Sequence, residues 1–340
     1  MTVLVEDLGW WSVSEDGTVG AVRRAATALG VELGLPEDRV AALGIVATEV
    51  TTNLLKHAID GAVHLRALRD DGAGRPSGVE LVAIDAGPGM ADLTASSRDG
   101  HSTAGTLGIG LGAIGRQATR LRVFSEPDRG TVLTAAVWAD EAPAESWAAG
   151  LTRPIAGEST SGDAYAVRVA DGRAQAFLAD GLGHGPLASR ASEAAAAAFR
   201  EAPAASPAAV LEYVHRAVAH TRGAVAAVVD LDSAAGQLTC ASVGNISGWI
   251  VGHDRRRGLA AQPGFVGDRQ RRAIREYTYP VAGDDVVVLH TDGLTDRWDL
   301  AGHPGLLLRD PLTIAAALLR EAGLRRDDAG VLVARPTASA

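Results

Sequence analysis

The chain contains one cysteine, Cys240, among its 340 residues. That excludes an internal disulfide and any cysteine-rich zinc site. Lysine is equally scarce: Lys56 is the only one, and arginine stands in for it elsewhere. With alanine and glycine so abundant, this reads as a bias of genome composition, so arginine content alone says little about function. Positive charge is also in deficit, with 32 basic against 41 acidic side chains and a formal net charge of −9. No general attraction to nucleic acid or to an anionic membrane is expected, and a protein or small-molecule partner is favoured. No apolar run is long enough to span a bilayer, and the opening stretch MTVLVEDLGWWSVSED has acids where a secretory signal has a basic segment. A soluble cytoplasmic protein is the expectation.

What is present suffices for two ordinary domains, since 47% of residues are hydrophobic and the length exceeds that of a usual single core. ADEAPAESWAAG (139–150) is rich in alanine, proline and acid without a clear period, and reads as a linker. The expected division is a first domain over 1–139, a linker over 140–149 and a second domain over 150–336. In the first domain, helical patterns at 19–33 and 37–58, an apolar run at 78–87, a helix from about 110 and two strands within 121–137 predict an α/β sandwich. In the second, AYAVRVA, AQAFLAD, AVAAVVDLD, LTCASVG and DDVVVLHTD read as strands, with helices at 186–200, 207–221 and 311–322. Stacked sheets flanked by helices follow.

Residues 48–58, TEVTTNLLKHA, put Glu49, Asn53, Lys56 and His57 on one helix face, with Val46, Val50, Leu54 and Leu55 on the others. A polar stripe by itself is a solvated surface. Three features downstream argue for more. IDAGPGM (84–90) closes an apolar strand with Asp85, Gly87 and Gly89, a carboxylate followed by glycines that let a flat ligand near the backbone. GTLGIGLGAIG (105–115) then offers five glycines running into a helix, where free N–H groups meet phosphates. GTVLTAAVW (130–138) returns a strand to close the sheet. A dinucleotide fold fails on context, because its glycine fingerprint follows a strand directly, whereas SSRDGHSTAG precedes this one.

On these motifs, in this order, residues 1–138 resemble the GHKL ATP-binding superfamily, and within it the small serine/threonine protein kinases of the RsbT and anti-sigma-factor type. The resemblance implies that Asn53 holds Mg2+ and that Glu49 is the general base toward a Ser/Thr hydroxyl. It implies that Asp85 accepts from the adenine amino group and that Gly87 and Gly89 leave room for the ring. Gly105, Gly108, Gly110 and Gly112 would face the phosphates, with Lys56 and Thr131 as further ATP contacts, while His57 is read as structural.

The second half has aspartates at strand ends: Asp163 in SGDAY, Asp180 in FLADGLGHG, Asp292 in VVVLHTDGLTD, and Asp327 and Asp328 in RRDDAGVLVA. Asp-Gly is a common turn pair, but Asp180 and Asp292 each close an apolar run, where an unpaired carboxylate is costly without a cation. Oxygen ligands without cysteine suit Mg2+ or Mn2+. With RGAVAAVVDLD and CASVGNISGWI, these motifs make residues 150–336 resemble the PPM metal-dependent Ser/Thr phosphatases in their bacterial SpoIIE and RsbX form. The resemblance implies that Asp180 bridges two metals beside the Gly181 carbonyl, that Asp292 and Asp327 complete one of them, and that Asp163 supports the other through water. Paired cations would lower the pKa of a water between them. One departure from the pattern is Gly330, where the family carries threonine after the Asp-Asp pair. His184 is either a phosphate contact or part of the loop packing.

The combined expectation is a bifunctional enzyme using ATP, Mg2+ and Mn2+ to phosphorylate and dephosphorylate Ser/Thr of STAS-domain anti-sigma antagonists or stressosome-type proteins. A sigma-factor regulator is a further expected partner. The alternative is an ATP-holding partner-binding module fused to a catalytic phosphatase.

Overall fold

The computed structural model describes residues 4–69, 77–91, 110–268, 273–324 and 326–336. They form two compact units, Val3–Ala144 and Glu145–Ala340.

In the N-terminal unit, β1 (Leu4–Ser12), β2 (Ala62–Arg69), β3 (Gly78–Asp85), β4 (Arg120–Glu126) and β5 (Gly130–Trp138) form one antiparallel sheet in the order β1-β2-β3-β5-β4. Period-two alternation turns Val63, Leu65 and Ala67 of β2, Val79, Leu81 and Ala83 of β3, and Leu133, Ala135 and Val137 of β5 toward one core. The helices meet them there. Helix α1 (Asp16–Glu32) contributes Val22, Ala26 and Leu29, and α2 (Glu37–His57) contributes Leu43, Val46, Ala47, Val50 and Leu54 at helical spacing. The short α3 (Gly110–Gln117) adds Ile114.

The first two strands carry polar residues that hide their pattern. Arg66 on β2 is buried, but its guanidinium donates to Asp7 on β1 at 3.2 Å and to Glu80 on β3 at 3.1 Å. His64 Nδ1 lies 2.6 Å from the Gly9 carbonyl. Such groups are tolerated inside only because they are paired across strands.

The C-terminal unit is a sandwich of two five-stranded antiparallel sheets. One runs β13 (Tyr277–Pro280), β10 (Gln237–Val243), β9 (Ala224–Asp232), β8 (Arg173–Gly181), β7 (Asp163–Ala170). The other runs β12 (Arg256–Gly258), β11 (Ser247–Val251), β14 (Val286–His290), β15 (Ala329–Ala334), β6 (Ala148–Arg153). Their inner faces share a core containing Ala176, Leu178, Val229 and Leu238 from the first sheet and Ile250, Val287, Leu289 and Leu332 from the second. On the outside of the first sheet, Phe177, Ala226 and Val228 pack with Ala195 and Phe199 of α4 (Pro186–Glu201) and Leu211 and Val214 of α5 (Pro207–Ala217). Helix α6 (Pro311–Ala322) covers β15 and β6 of the second. Central strands buried on both faces explain why their sequences are continuous apolar runs. Strand β6 begins at Ala148, and the preceding Trp147 is already buried, so ordered structure starts inside the segment that reads as linker.

Candidate functional site

Parity places the first set of polar residues. Asp85 continues the alternation of Val79, Leu81 and Ala83, and Thr131 that of Leu133 and Ala135, so both lie on the helix-covered face at the end of their strands. They are direct cross-strand partners. Ser125 on β4 pairs with Thr131 in turn; its hydroxyl lies 2.8 Å from the Thr131 hydroxyl and accepts from the Met90 N–H at 2.8 Å. Sequence reasoning did not single out Ser125, and the signal was its register opposite Thr131.

The DAGPG turn is fixed by close backbone approaches. Asp85 Oδ1 accepts the Gly87 N–H at 2.7 Å, an Asx-type turn. A Cβ at Gly87 would stand 2.8 Å from the carbonyl of His57, the last residue of α2. Gly89 has φ +65°, and a Cβ there would collide with the Glu126 carbonyl at 1.9 Å. Both glycines therefore have a need in the chain itself, besides any room they leave for a ring.

On α2, Asn53 and Glu49 are half-buried while Lys56 and His57 are exposed. Asn53 faces the start of α3: a Cβ on Gly110 would lie 2.9 Å from its Oδ1 and 3.1 Å from its Nδ2. The structure thus brings Asn53 against the helical end of the glycine segment. Gly112 lies on α3 one turn short of Gly115, and Gly105 and Gly108 fall outside the described residues.

Parity also builds the second site. Asp180 follows Ala176 and Leu178 to the sandwich interior, and Asp163 is its direct partner on β7. From the opposing sheet, Thr291 follows Val287 and Leu289 inward, and Gly330 precedes Leu332 and Ala334. The two sheets meet at one end of the sandwich. There the Thr291 hydroxyl donates to Asp163 Oδ2 at 2.8 Å and accepts the Gly330 N–H at 2.9 Å. A Cβ at position 330 would lie 3.0 Å from both Cβ and Oδ2 of Asp163. That contact accounts for glycine where threonine was expected: Thr291 already supplies the hydroxyl, and Asp163 takes up the space.

Asp163 Oδ1 is buried without a hydrogen-bond partner. Burial, then repulsion from Asp180, push the Asp163 carboxyl well above its ordinary range, and the Thr291 hydrogen bond opposes them. Burial, followed by the charges of Asp292, Asp327 and Asp328, raises Asp180 to about 7. Burial also raises Asp328. The carboxylates thus repel one another at close quarters. A divalent cation fits such a set of hard oxygen donors.

The remaining aspartates are turned elsewhere. Asp292 is exposed and accepts from Asn245 Nδ2 at 2.8 Å, while Asp327 accepts the Asp328 N–H at 2.9 Å. Among the described residues, no three carboxylate, imidazole or thiol groups are already gathered as a closed cation cage. Asp328 is buried and accepts the Ile155 N–H at 2.8 Å. Gly181 packs on α4, where a Cβ would meet the Ala188 carbonyl at 2.1 Å. His184 pairs with Glu158 at 3.6 Å in the exposed loop that follows.

The two folds and their strand-end sites define the class: a GHKL-type ATPase domain joined to a PPM-type phosphatase domain. The Histidine kinase-like ATPase domain family matches residues 12–137 and the Stage II sporulation protein E (SpoIIE) family matches residues 170–337, one family model in each unit. Its N-terminal part is 29% identical over 118 residues to serine/threonine-protein kinase RsbT of Bacillus subtilis (strain 168), covering 35% of this chain and 86% of that protein. A solved chain described as "The bacterial stressosome: a modular system that has been adapted to control secondary messenger signaling" aligns at 30% identity with a TM-score of 0.51, over 55% of this chain and 98% of its own. RsbX in complex with magnesium aligns at 22% identity and a TM-score of 0.48, over 56% of this chain and 94% of its own. Among the described residues no helix is long and apolar enough to cross a membrane.

Proposed function

We propose that the chain is a bifunctional signalling enzyme that places phosphate on, and removes it from, Ser/Thr of STAS-domain regulators in a stress or sigma-factor partner-switching pathway, in the cytoplasm. The observation that carries the reading is two chemically distinct residue sets, one in each unit, the first on two strand ends and two helices and the second at the ends of strands. Asp85, Thr131, Asn53 and Gly110 form one. Asp163, Asp180 and the neighbouring carboxylates form the other. The RsbT and stressosome relatives point to the substrate class.

In the N-terminal unit, Asp85 takes the adenine amino hydrogen bond beside Gly87 and Gly89, with Thr131 closing that end. The glycines through Gly105, Gly108, Gly110 and Gly112 meet the phosphates, and Asn53 holds the Mg2+ that accompanies ATP. Glu49, one turn before Asn53, accepts the proton of the incoming hydroxyl as the γ-phosphoryl group moves onto it. Lys56, on the exposed side of the same helix, supplies a positive charge to the phosphates.

In the C-terminal unit, Asp180 and the Gly181 carbonyl, with Asp292 and Asp327, would hold Mn2+ or Mg2+, and Asp163 would support that site through water. Divalent cations at such a site supply charge neutralisation on the phosphoryl oxygens and activate water for in-line attack. The chain's own contribution is to aim the carboxylates: Thr291 holds Asp163 by its hydroxyl, and the α4 contact at Gly181 fixes the strand end.

One purified STAS-domain protein tests the reading. The Asp180→Asn chain with Mg·ATP should drive phosphate onto it, and the Asn53→Ala chain with Mn2+ should strip phosphate from it. Phosphopeptide mapping that assigned the two activities to unrelated proteins would overturn the opposed-activity reading.

A further inference from the structure

Beyond the carboxylates lies a cluster built around Arg256, a residue outside the motifs above. Arg256 on β12 packs into the corner between two indoles, with its guanidinium carbon 3.8 Å from the ring centroid of Trp249 on β11 and 3.8 Å from that of Trp298. The indoles are edge-on to each other, 85° apart. The same guanidinium donates to the carbonyl of Asp296 at 3.1 Å and to that of Trp298 at 3.0 Å. Trp249 Nε1 donates to Asp296 Oδ1 at 3.2 Å, and Trp298 Nε1 donates to His290 Nε2 at 3.3 Å. A planar cation between two aromatic faces, with both carbonyls in reach of its fork, is a geometry that arginine fills and lysine does not.

Trp298 and Asp296 end the segment that begins at Asp292. Its other fastenings are already on one side. Thr291 is tied to Asp163 and Gly330, a Cβ on Gly293 would meet the Asp328 carbonyl at 1.8 Å, and the Thr295 N–H donates to the Ala322 carbonyl at 3.0 Å. Asp292 itself is exposed and accepts from Asn245. The Arg256 stack, together with the contacts of Asp296 to Trp249 and to His290 at 3.1 Å, closes the far end of the segment onto the β11–β12 hairpin.

We infer that Arg256, held between Trp249 and Trp298, is a positioning residue for Asp292 and thereby sets the affinity of the carboxylate site for its divalent cation. The inference rests on the proposed role of Asp180 and Asp292 as cation ligands. It also makes the β11–β12 hairpin a lever, since a partner that shifts this hairpin shifts Asp292.

The test is Mn2+ binding to the full-length protein without nucleotide, read from the electron paramagnetic resonance signal of free Mn2+. The unaltered chain should show a site that Asp180→Asn removes. Arg256→Ala should weaken that site by about tenfold or more, and Arg256→Lys should restore little of it. Trp249→Phe, which trims one face of the stack and its bond to Asp296, should weaken it in the same direction. Arg255→Ala is the control on the same hairpin, because Arg255 pairs with Asp285 instead; it should leave Mn2+ affinity unchanged. Unchanged affinity in a folded Arg256→Ala chain overturns the inference, and so does an equal loss in Arg255→Ala, which would reduce the effect to hairpin stability. Absence of any Asp180-dependent site in the unaltered chain overturns the cation-site reading itself, and the inference with it.

Discussion

Asp163 and Asp180 stand opposite each other in the β7–β8 ladder, two carboxyls facing the same interior. Like charges opposed across a ladder destabilise a sheet, and here burial adds to the repulsion. Both carboxyls are raised, Asp180 to about 7. A carboxyl raised in the folded state binds its proton more tightly there than in the unfolded chain. Its contribution to stability is therefore complete below the unfolded value, near 3.8, and is lost as pH climbs through about 7. In a chelating buffer, the melting temperature of the C-terminal unit should fall between about pH 4 and pH 7 on this account. Asp180→Asn should flatten that slope and raise the melting temperature at pH 8. Mn2+ should stabilise the unaltered protein more at pH 7.5 than at pH 5.5, because cation and proton compete for one oxygen set. A slope unchanged in Asp180→Asn would show that the strain lies elsewhere.

Asn53 and Gly110 make a prediction for the other unit. Since a Cβ at 110 would stand 2.9 Å from Asn53 Oδ1, Gly110→Ala should displace the Asn53 amide and weaken Mg·ATP binding by about tenfold or more, with the melting temperature nearly unchanged. Asn53→Ala should abolish the metal-dependent part of that binding. Glu49→Ala should leave binding intact and slow transfer to a STAS-domain protein by about 10²–10⁴-fold, the usual worth of a general base. Calorimetry showing unaltered Mg·ATP affinity in both Gly110→Ala and Asn53→Ala would remove the site from this helix pair.

The sandwich strands with uninterrupted apolar runs were legible in the sequence because burial on both faces leaves no polar alternation to confuse. Strand β2 was not, because Arg66 and His64 interrupt its pattern and their partners Asp7, Gly9 and Glu80 lie on other strands. Strands β11, β12 and β13 are five, three and four residues long, too short for a period to declare itself. Asp180 and Asp292 could be found because each closes an apolar run, a local signal. The Arg256 stack could not, since it joins residues some forty positions apart whose only link is the fold. Gly87 and Gly89 fit a ligand-room reading, and the chain's own carbonyls require glycine there as well, a need that only the fold reveals.

Of the adjacent pair Asp327 and Asp328, the structure separates the roles. Asp328 is buried, and its Oδ1 holds the Ile155 N–H at 2.8 Å. Asp327 is half-exposed and accepts its neighbour's N–H. Asp328→Ala should leave that N–H unsatisfied and cost about 1–3 kcal/mol, which for a domain of this size lowers the melting temperature by about 2–4 °C per kcal/mol. Asp327→Ala should leave the melting temperature in chelator alone and weaken Mn2+ binding. The reverse pattern in the two variants would move the ligand role to Asp328.

Thr291 supplies the last prediction. Its hydroxyl is the one group that both holds Asp163 and satisfies the Gly330 N–H, and its hydrogen bond is the influence that opposes the rise of the Asp163 carboxyl. Thr291→Val keeps the shape and removes the hydroxyl. Asp163 should then titrate higher still. Since it takes part as a carboxylate, the acid limb of the phosphatase pH profile should move to higher pH, while the alkaline side is little affected. Stability should fall by about 1–3 kcal/mol, because the Gly330 N–H loses its partner inside the sandwich. Thr291→Ser retains the hydroxyl and should restore the pH profile even if the lost methyl costs some packing. A Thr291→Val enzyme with its acid limb in place would show that this hydroxyl serves only the strands, and that Asp163 is oriented by another contact.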